Sequence, residues 1–311
     1  MIKKNKAIRD IFGESLVKFA KKNKKIFAIS PDLKSATKLS LFKKKIPKRF
    51  IETGIAEANA IGIAAGLAMS GLKPVVASFG SFLSGKNIEI RVSVGFNNAP
   101  VVLVGTHGGL IGPDGPTQAG LQDISVMRSI PNIKIFQPAS AAETIEILKH
   151  CIKLREPSYI RISRQSNREI YQKNYKFIEG KPYIIKKDMK DAVIFTSGNM
   201  VERCIDASNI LKKNYKIGVV NIPSIKPLNK FNILSIISKT KKIFSVEDHS
   251  INGGLGSQIL EIISQHNIKK PFFLHGLTDF TQSGDVEELY KYYKLDKSGI
   301  AQFLKKKLTK K

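Results

Sequence analysis

The sequence predicts an α/β protein built from two three-layer α/β/α domains with mostly parallel sheets. Three observations carry that expectation. Short apolar runs alternate with longer helical patterns along the 311 residues, as chains that wind helices around a parallel sheet do. Runs such as VVLVG at 101–105 are apolar without interruption, as strands covered on both faces are. The alternation dissolves once, after Ser163, and then resumes.

In chain order, an amphipathic helix comes first, with Ile8, Ile11, Phe12, Leu16 and Phe19 on one face. Strands are expected at 25–30, 74–78, 101–105, 133–137 and 158–162, with helices near 56–70, 82–97, 123–130 and 141–154. Polar and aromatic residues with Gly180 and Pro182 then read as an interdomain linker. The first domain is therefore 1–170, the linker 171–190 and the second domain 191–311. The second domain repeats the alternation: strands at 192–196, 216–221, 242–246 and 271–275, and helices at 199–213, 228–239 and 254–266. Two helices near 285–293 and 298–307 follow, and the lysine-rich tail after Leu304 is expected to fray.

Composition excludes several classes. No apolar run reaches the ~18–20 residues of a membrane span. The N-terminal stretch lacks the apolar core of a signal peptide. Cys151 and Cys204 lie far apart within helical patterns, which suits buried free thiols and a cytosolic protein. The net charge of +27 would attract nucleic acid, but only nine of the 52 basic residues are Arg. The lysines are scattered and show no interleaving with aromatics, so a genome-wide nucleotide bias explains them better than a groove. A salt-dependent shift with DNA would revive the excluded reading.

The chemistry concentrates in TGIAEANAIGIAAGLAMSGLKPVVASFGSFLS, residues 53–84. It places Glu57 where an extended stretch enters a Gly/Ala-rich helix, and Phe79 and Phe82 after the next strand. An acid in a first helical turn is also what the helix dipole favours, and two phenylalanines three apart also suit a core. Together, an acid and a stacking platform suit a flat, protonatable heteroaromatic ring. His107 ends another strand, and Gly108, Gly109 and Gly112 allow close approach of a ligand.

This segment resembles the pyrimidine-binding half of transketolases, which use thiamine diphosphate. The resemblance continues through THGGLIGPDGPT (106–117), MRSIPNIKIFQPAS (127–140), YIRISRQ (159–165), VEDHSINGGLG (246–256) and LYKYYKLDKSGI (289–300). It implies a pyrimidine-binding domain followed by a transketolase C-terminal domain. Glu57 would be the catalytic acid that hydrogen-bonds N1′ of the aminopyrimidine, and would be buried and protonated at neutral pH. Phe79 and Phe82 would stack on the ring, and Asp32 and Leu33 in SPDLKSATK would also bind the cofactor, the leucine as the wedge that bends it. His107, Asp114, Gln118 and Arg164 would bind substrate, Arg164 as a phosphate fork. The GGLG turn at 253–256 lacks the spacing of a phosphate loop and is assigned to folding and assembly.

The family's GDG motif with a downstream Asn, its magnesium–diphosphate site, does not occur. The resemblance therefore implies the C-terminal half of a transketolase encoded as a separate chain. An N-terminal partner subunit would hold Mg2+ or Ca2+ and the diphosphate in an α2β2 assembly, acting on sugars or sugar phosphates. Alternatives are a related split enzyme for a modified sugar, the β subunit of a 2-oxoacid dehydrogenase, and a non-catalytic regulatory subunit. The motifs THGG, DGPT and SRQ favour the transketolase branch. Several positions depart from the family: Gln118 replaces a His, Ala36 a common phosphate-binding Ser, Pro113 a common Glu, and Gly85 a bulky residue. The His107–Asp114 loop is one residue short.

Overall fold

The computed structural model describes residues 7–171 and 175–309. The helices are α1 (Ile8–Lys22), α2 (Ser40–Lys45), α3 (Glu57–Met69), α4 (Gly80–Ser84), α5 (Asn87–Glu89), α6 (Asp123–Arg128), α7 (Ala141–Lys153), α8 (Met200–Ile210), α9 (Lys230–Ser238), α10 (Leu255–Gln265), α11 (Val286–Tyr292) and α12 (Lys297–Thr309). The first sheet uses β1 (Ile26–Ser30), β2 (Phe50–Glu52), β3 (Lys73–Phe79), β4 (Val102–Thr106), β5 (Lys134–Phe136) and β6 (Ser158–Arg161). The second uses β7 (Tyr183–Lys186), β8 (Ala192–Thr196), β9 (Ile217–Asn221), β11 (Lys242–Ser250) and β12 (Phe272–Leu277), while β10 (Ser224–Lys226) returns to the first. The orders are β10-β5-β6-β4-β3-β1-β2 and β12-β11-β8-β9-β7. Among the described strands, only the β10–β5 and β7–β9 pairs are antiparallel.

Each sheet is covered on both faces, as the uninterrupted apolar strands require. On the first, Phe12, Leu16 and Ala20 of α1 pack with Ile147, Leu148 and Cys151 of α7. The opposite face is covered by Ala60, Ile61 and Ala64 of α3 with Ile124 and Met127 of α6. On the second sheet, Cys204 and Ala207 of α8 meet Ile300 and Leu304 of α12, and Ile233 of α9 meets Ile259 of α10 on the other side. Both cysteines are free and buried, and burial pushes their thiols up to about 12.

Local differences from the expected elements have identifiable causes. The helix expected over 82–97 is broken: α4 ends at Gly85, α5 follows, and Ile90–Phe96 forms a wide π turn. Two glycines and several β-branched residues weaken an ordinary helix there. In α1, Val17 and Ala20 join the buried face, while Ile11 and Phe19 are only partly covered. The segment read as linker contains β7, a strand of four residues whose burial does not alternate cleanly, and residues 172–174 of it lie outside the described residues. The tail expected to fray continues as helix to Thr309, and residues 310–311 lie outside the described ones. Among the described residues no helix is long and apolar enough to cross a membrane.

Candidate active site

The parallel strands β1, β2, β3, β4 and β6 end at one edge of the first sheet, at Ser30, Glu52, Phe79, Thr106 and Arg161. Loops leaving such an edge are where open α/β sheets bind ligands. Glu57 opens α3 beside this edge and is 8% exposed. The Ser78 hydroxyl donates to its Oε1 at 3.2 Å.

Phe79 closes β3, and its ring contacts two others. Phe82 stacks on it with centroids 5.1 Å apart and planes at 23°, and His107 lies 3.9 Å away at 35°. Both phenylalanines keep part of their surface open, so the platform can receive another ring. His107 is buried and has a left-handed backbone, with φ of 59°.

The Thr106 hydroxyl donates to the Ser78 carbonyl at 3.2 Å, and its oxygen lies 2.9 Å from His107 Nδ1. With its one proton committed, that oxygen accepts from Nδ1–H, which leaves Nε2 with a free lone pair. Bonds of 2.9–3.2 Å thus run from Glu57 through Ser78 and Thr106 to His107. Burial, then the nearby Arg9 and Arg164 guanidinium groups, lower the imidazole to about 3. His107 is therefore a neutral acceptor at physiological pH. Its depressed value favours the folded state above the ordinary value near ~6.5, and that contribution is lost as pH falls from there through about 3. In an NMR titration of the chain, the His107 signals should stay in the neutral form down to about pH 4. Titration near ~6.5 would contradict the neutral assignment.

Asp114 and Arg164 form an ion pair at the mouth, both partly exposed. Sequence reasoning missed Arg9. It donates to the Ala36 carbonyl at 3.3 Å, its Nε is buried without a partner, and burial followed by repulsion from Arg164 lowers its guanidinium. Two guanidinium groups thus face one mouth. The missed signal was an Arg in a Lys-rich chain, placed in a first helical turn where the dipole disfavours a cation. Gln118 accepts a bond from the Ser81 hydroxyl at its backbone oxygen (2.9 Å), while its side-chain Oε1 is buried and unpartnered.

Asp32 and Leu33 lie on the loop after β1 at the same edge. Glu52 takes the Asp32 N–H at 2.7 Å and Ser30 takes the Leu33 N–H at 3.1 Å. Among the described residues no hydrogen bond or ion pair joins these two to the Phe79–His107 stack.

The side chains fit one half of thiamine diphosphate. A buried carboxyl, an open aromatic platform and an orphaned amide oxygen suit a flat ring bearing polar atoms. The GGLG turn is not an anion site, because Glu247 already occupies it. That carboxylate takes the Leu255 and Gly256 N–H groups, both at 2.9 Å, and burial raises it to about 7.

Comparison with known proteins gives the family. Residues 4–169 match the family described as "Transketolase, pyrimidine binding domain", and residues 181–300 match "Transketolase, C-terminal domain". A 1-deoxy-D-xylulose-5-phosphate synthase of Caldanaerobacter subterraneus subsp. tengcongensis is 39% identical over 295 residues, 94% of this chain and 47% of that protein. The chain thus spans about half the length of that relative. One of the subunits of the apulose-4-phosphate transketolase of Actinobacillus succinogenes is 33% identical over 298 residues, covering 94% of this chain and 96% of that one. A solved structure described as "Split gene transketolase, inactive beta4 tetramer" superimposes with a TM-score of 0.89 at 31% identity, over 97% of this chain and 98% of that one. With both domain matches in sequence order, the chain belongs to the transketolase family and corresponds to its C-terminal half.

Proposed function

We propose that this chain is the C-terminal subunit of a thiamine-diphosphate-dependent transketolase, moving a two-carbon ketol unit from a ketose or its phosphate to an aldose or its phosphate. The observation that carries the reading is the hydrogen-bonded line from Glu57 to His107 beside the Phe79–Phe82 stack. When bound, the cofactor supplies the stabilised carbanion chemistry. Glu57 donates to the pyrimidine nitrogen and Phe79 and Phe82 hold the ring plane. His107 accepts a substrate hydroxyl proton at Nε2, Asp114 orients the donor, and Arg9 and Arg164 attract a phosphate. Residues 1–170 form the pyrimidine domain and 191–311 the C-terminal domain in this reading.

An N-terminal partner subunit carrying the GDG motif would hold Mg2+ or Ca2+ and the diphosphate, in an α2β2 assembly in the cytosol. The buried free thiols suit that compartment. The first domain also offers a surface for a partner. Ile88, Val92 and Phe96 are exposed at helical spacing, and Ile55, 86% exposed, stands two residues before Glu57. Purified alone, the chain should show no ketol transfer, and mixing with such a partner should restore it. Full activity without the partner would sink the proposal.

Replacing Phe79 or Phe82 with Ala should weaken cofactor affinity in the assembly, each by about 0.5–1.5 kcal/mol beyond lost burial. Thermal melts without cofactor, run beside binding titrations, separate this from lost packing. Unchanged affinity in both variants would reduce the pair to core.

Gln118 and Ala36 should shift acceptor preference away from the usual sugar phosphates, since an imidazole and a hydroxyl are absent. Each lost bond to a charged group costs about 1.5–3 kcal/mol. The check is kcat/KM for phosphorylated and unphosphorylated aldoses, in wild type and in a Gln118→His, Ala36→Ser double variant. A wild type that already prefers pentose phosphates, with a double variant that changes nothing, rules the shift out.

A second reading follows from the 39% identical relative: formation of 1-deoxy-D-xylulose 5-phosphate. A 1-deoxy sugar needs a two-carbon unit without the hydroxyl, so Asp114 would lose its donor contact. Product analysis with both kinds of donor separates the two.

A further inference from the structure

The loop that carries His107 and Asp114 belongs to the first domain by sequence but is held by the second. It leaves β4 at His107 and returns to α6 at Gln122. Leu110, Ile111, Ala119 and Leu121 pack into the core formed by Phe244 and Tyr290 of the second domain. The Ser250 N–H donates to the Leu121 carbonyl at 2.8 Å. Gly109, with φ of 85°, lies so close to Asp248 that a Cβ would collide with the carboxylate.

One guanidinium fastens the base of this loop. Arg161 is 1% exposed. Its Nε donates to Asp123 at 3.1 and 3.2 Å, one terminal nitrogen to Asp248 Oδ1 at 2.9 Å, and the other to the Gly120 carbonyl at 2.7 Å and the Asp248 carbonyl at 3.1 Å. Tyr290 donates to the other Asp248 oxygen at 2.9 Å. Gly120 N–H in turn donates to the His107 carbonyl at 3.0 Å, and its own carbonyl takes the Gly109 N–H at 3.0 Å. Two hydrogen bonds therefore separate Arg161 from the backbone of His107. A buried ion pair is weak evidence for net stability, because desolvation offsets the attraction. What a fixed planar fork supplies is direction, which an ammonium cannot copy.

We infer that Arg161 and Asp248 are a positioning pair through which the second domain sets the place of His107 and Asp114, an inference that rests on reading those two as substrate contacts. Neither Arg161 nor Asp248 touches substrate; both act through the loop.

The test compares Arg161→Lys and Asp248→Asn with Glu143→Gln in the full chain. Glu143 is also buried between the domains, bonded to Tyr171, Tyr175 and Asn221, and makes no hydrogen bond to the 107–121 loop. His107 is followed by NMR in the chain alone. Its titration midpoint should rise by about 1 unit or more in the first two variants, as its burial loosens, and stay in place in the third. In the assembly with the N-terminal partner, kcat/KM for the ketose donor should fall about a hundredfold in the first two, from misplacement of the loop, at unchanged cofactor affinity. Folded variants whose His107 signals match wild type overturn the inference, as does an equal shift in Glu143→Gln. Should both charge variants fail to fold, Tyr290→Phe removes the hydroxyl that donates to Asp248 and accepts from Asn199, and is judged by the same His107 signals. A wild-type assembly without ketol transfer, beside a His107 that still shifts, would end the functional reading and leave the positioning pair standing.

Discussion

Glu57→Gln should fold and assemble, bind cofactor, and exchange the cofactor's C2 proton about 10²–10⁴-fold more slowly than wild type. The substitution keeps the shape of the side chain and the bond from Ser78, which an amide oxygen can accept. It removes the acidic proton that the proposed role hands to the pyrimidine nitrogen. Burial at the start of α3 means that no bulk water stands ready to replace it. The measurement is deuterium exchange at C2, quenched at short times, in the assembly with the N-terminal partner. Exchange within about twofold of wild type would remove Glu57 from the chemistry, since a positioned acid is worth far more.

Asp123→Ala should be the most damaging single change to stability, at about 3–5 kcal/mol, the usual cost of breaking a buried ion pair from one side. The carboxylate is fully buried and takes Arg161 Nε and, at 2.6 Å, the Tyr159 hydroxyl. Its removal leaves a buried phenol without an acceptor and a guanidinium with one countercharge in place of two. Asp123 faces Arg161 at the seam between the domains, so the loss is expected in both. The chain has no Trp, so urea unfolding is best followed by far-UV circular dichroism. A loss under about 1 kcal/mol, the size of an ordinary surface change, would show that the network is not essential to the seam.

The sheet-forming runs were legible because burial on both faces writes itself as unbroken apolar sequence; VVLVG and KPVVASF needed nothing else. Glu57 and Phe79 stood out in the sequence because one opens a helix and the other closes a strand. What escaped was set by contacts distant in sequence. The strand at Tyr183–Lys186 has partly exposed residues on both faces and exists because β9 pairs with it. β10 is three residues long and is held by β5, nearly ninety positions earlier. Arg9 reads as one more basic residue until the fold sets it beside Ala36, Arg164 and His107. At the GGLG turn the missing spacing was enough to set aside a phosphate loop, but not to show that Glu247 fills it.

The pairing of β10 with β5 decides where this polypeptide can be cut. A fragment ending near residue 170 would keep the edge of the first sheet that carries the candidate site yet lose the strand that closes its far side. β5 would then become a bare margin of unpaired N–H and C=O groups, a template on which other chains can add. Such a fragment should aggregate or pair through that margin even though all six of its own strands are present. The practical unit for crystallisation, for display or for grafting onto another N-terminal half is therefore the pair of domains taken together.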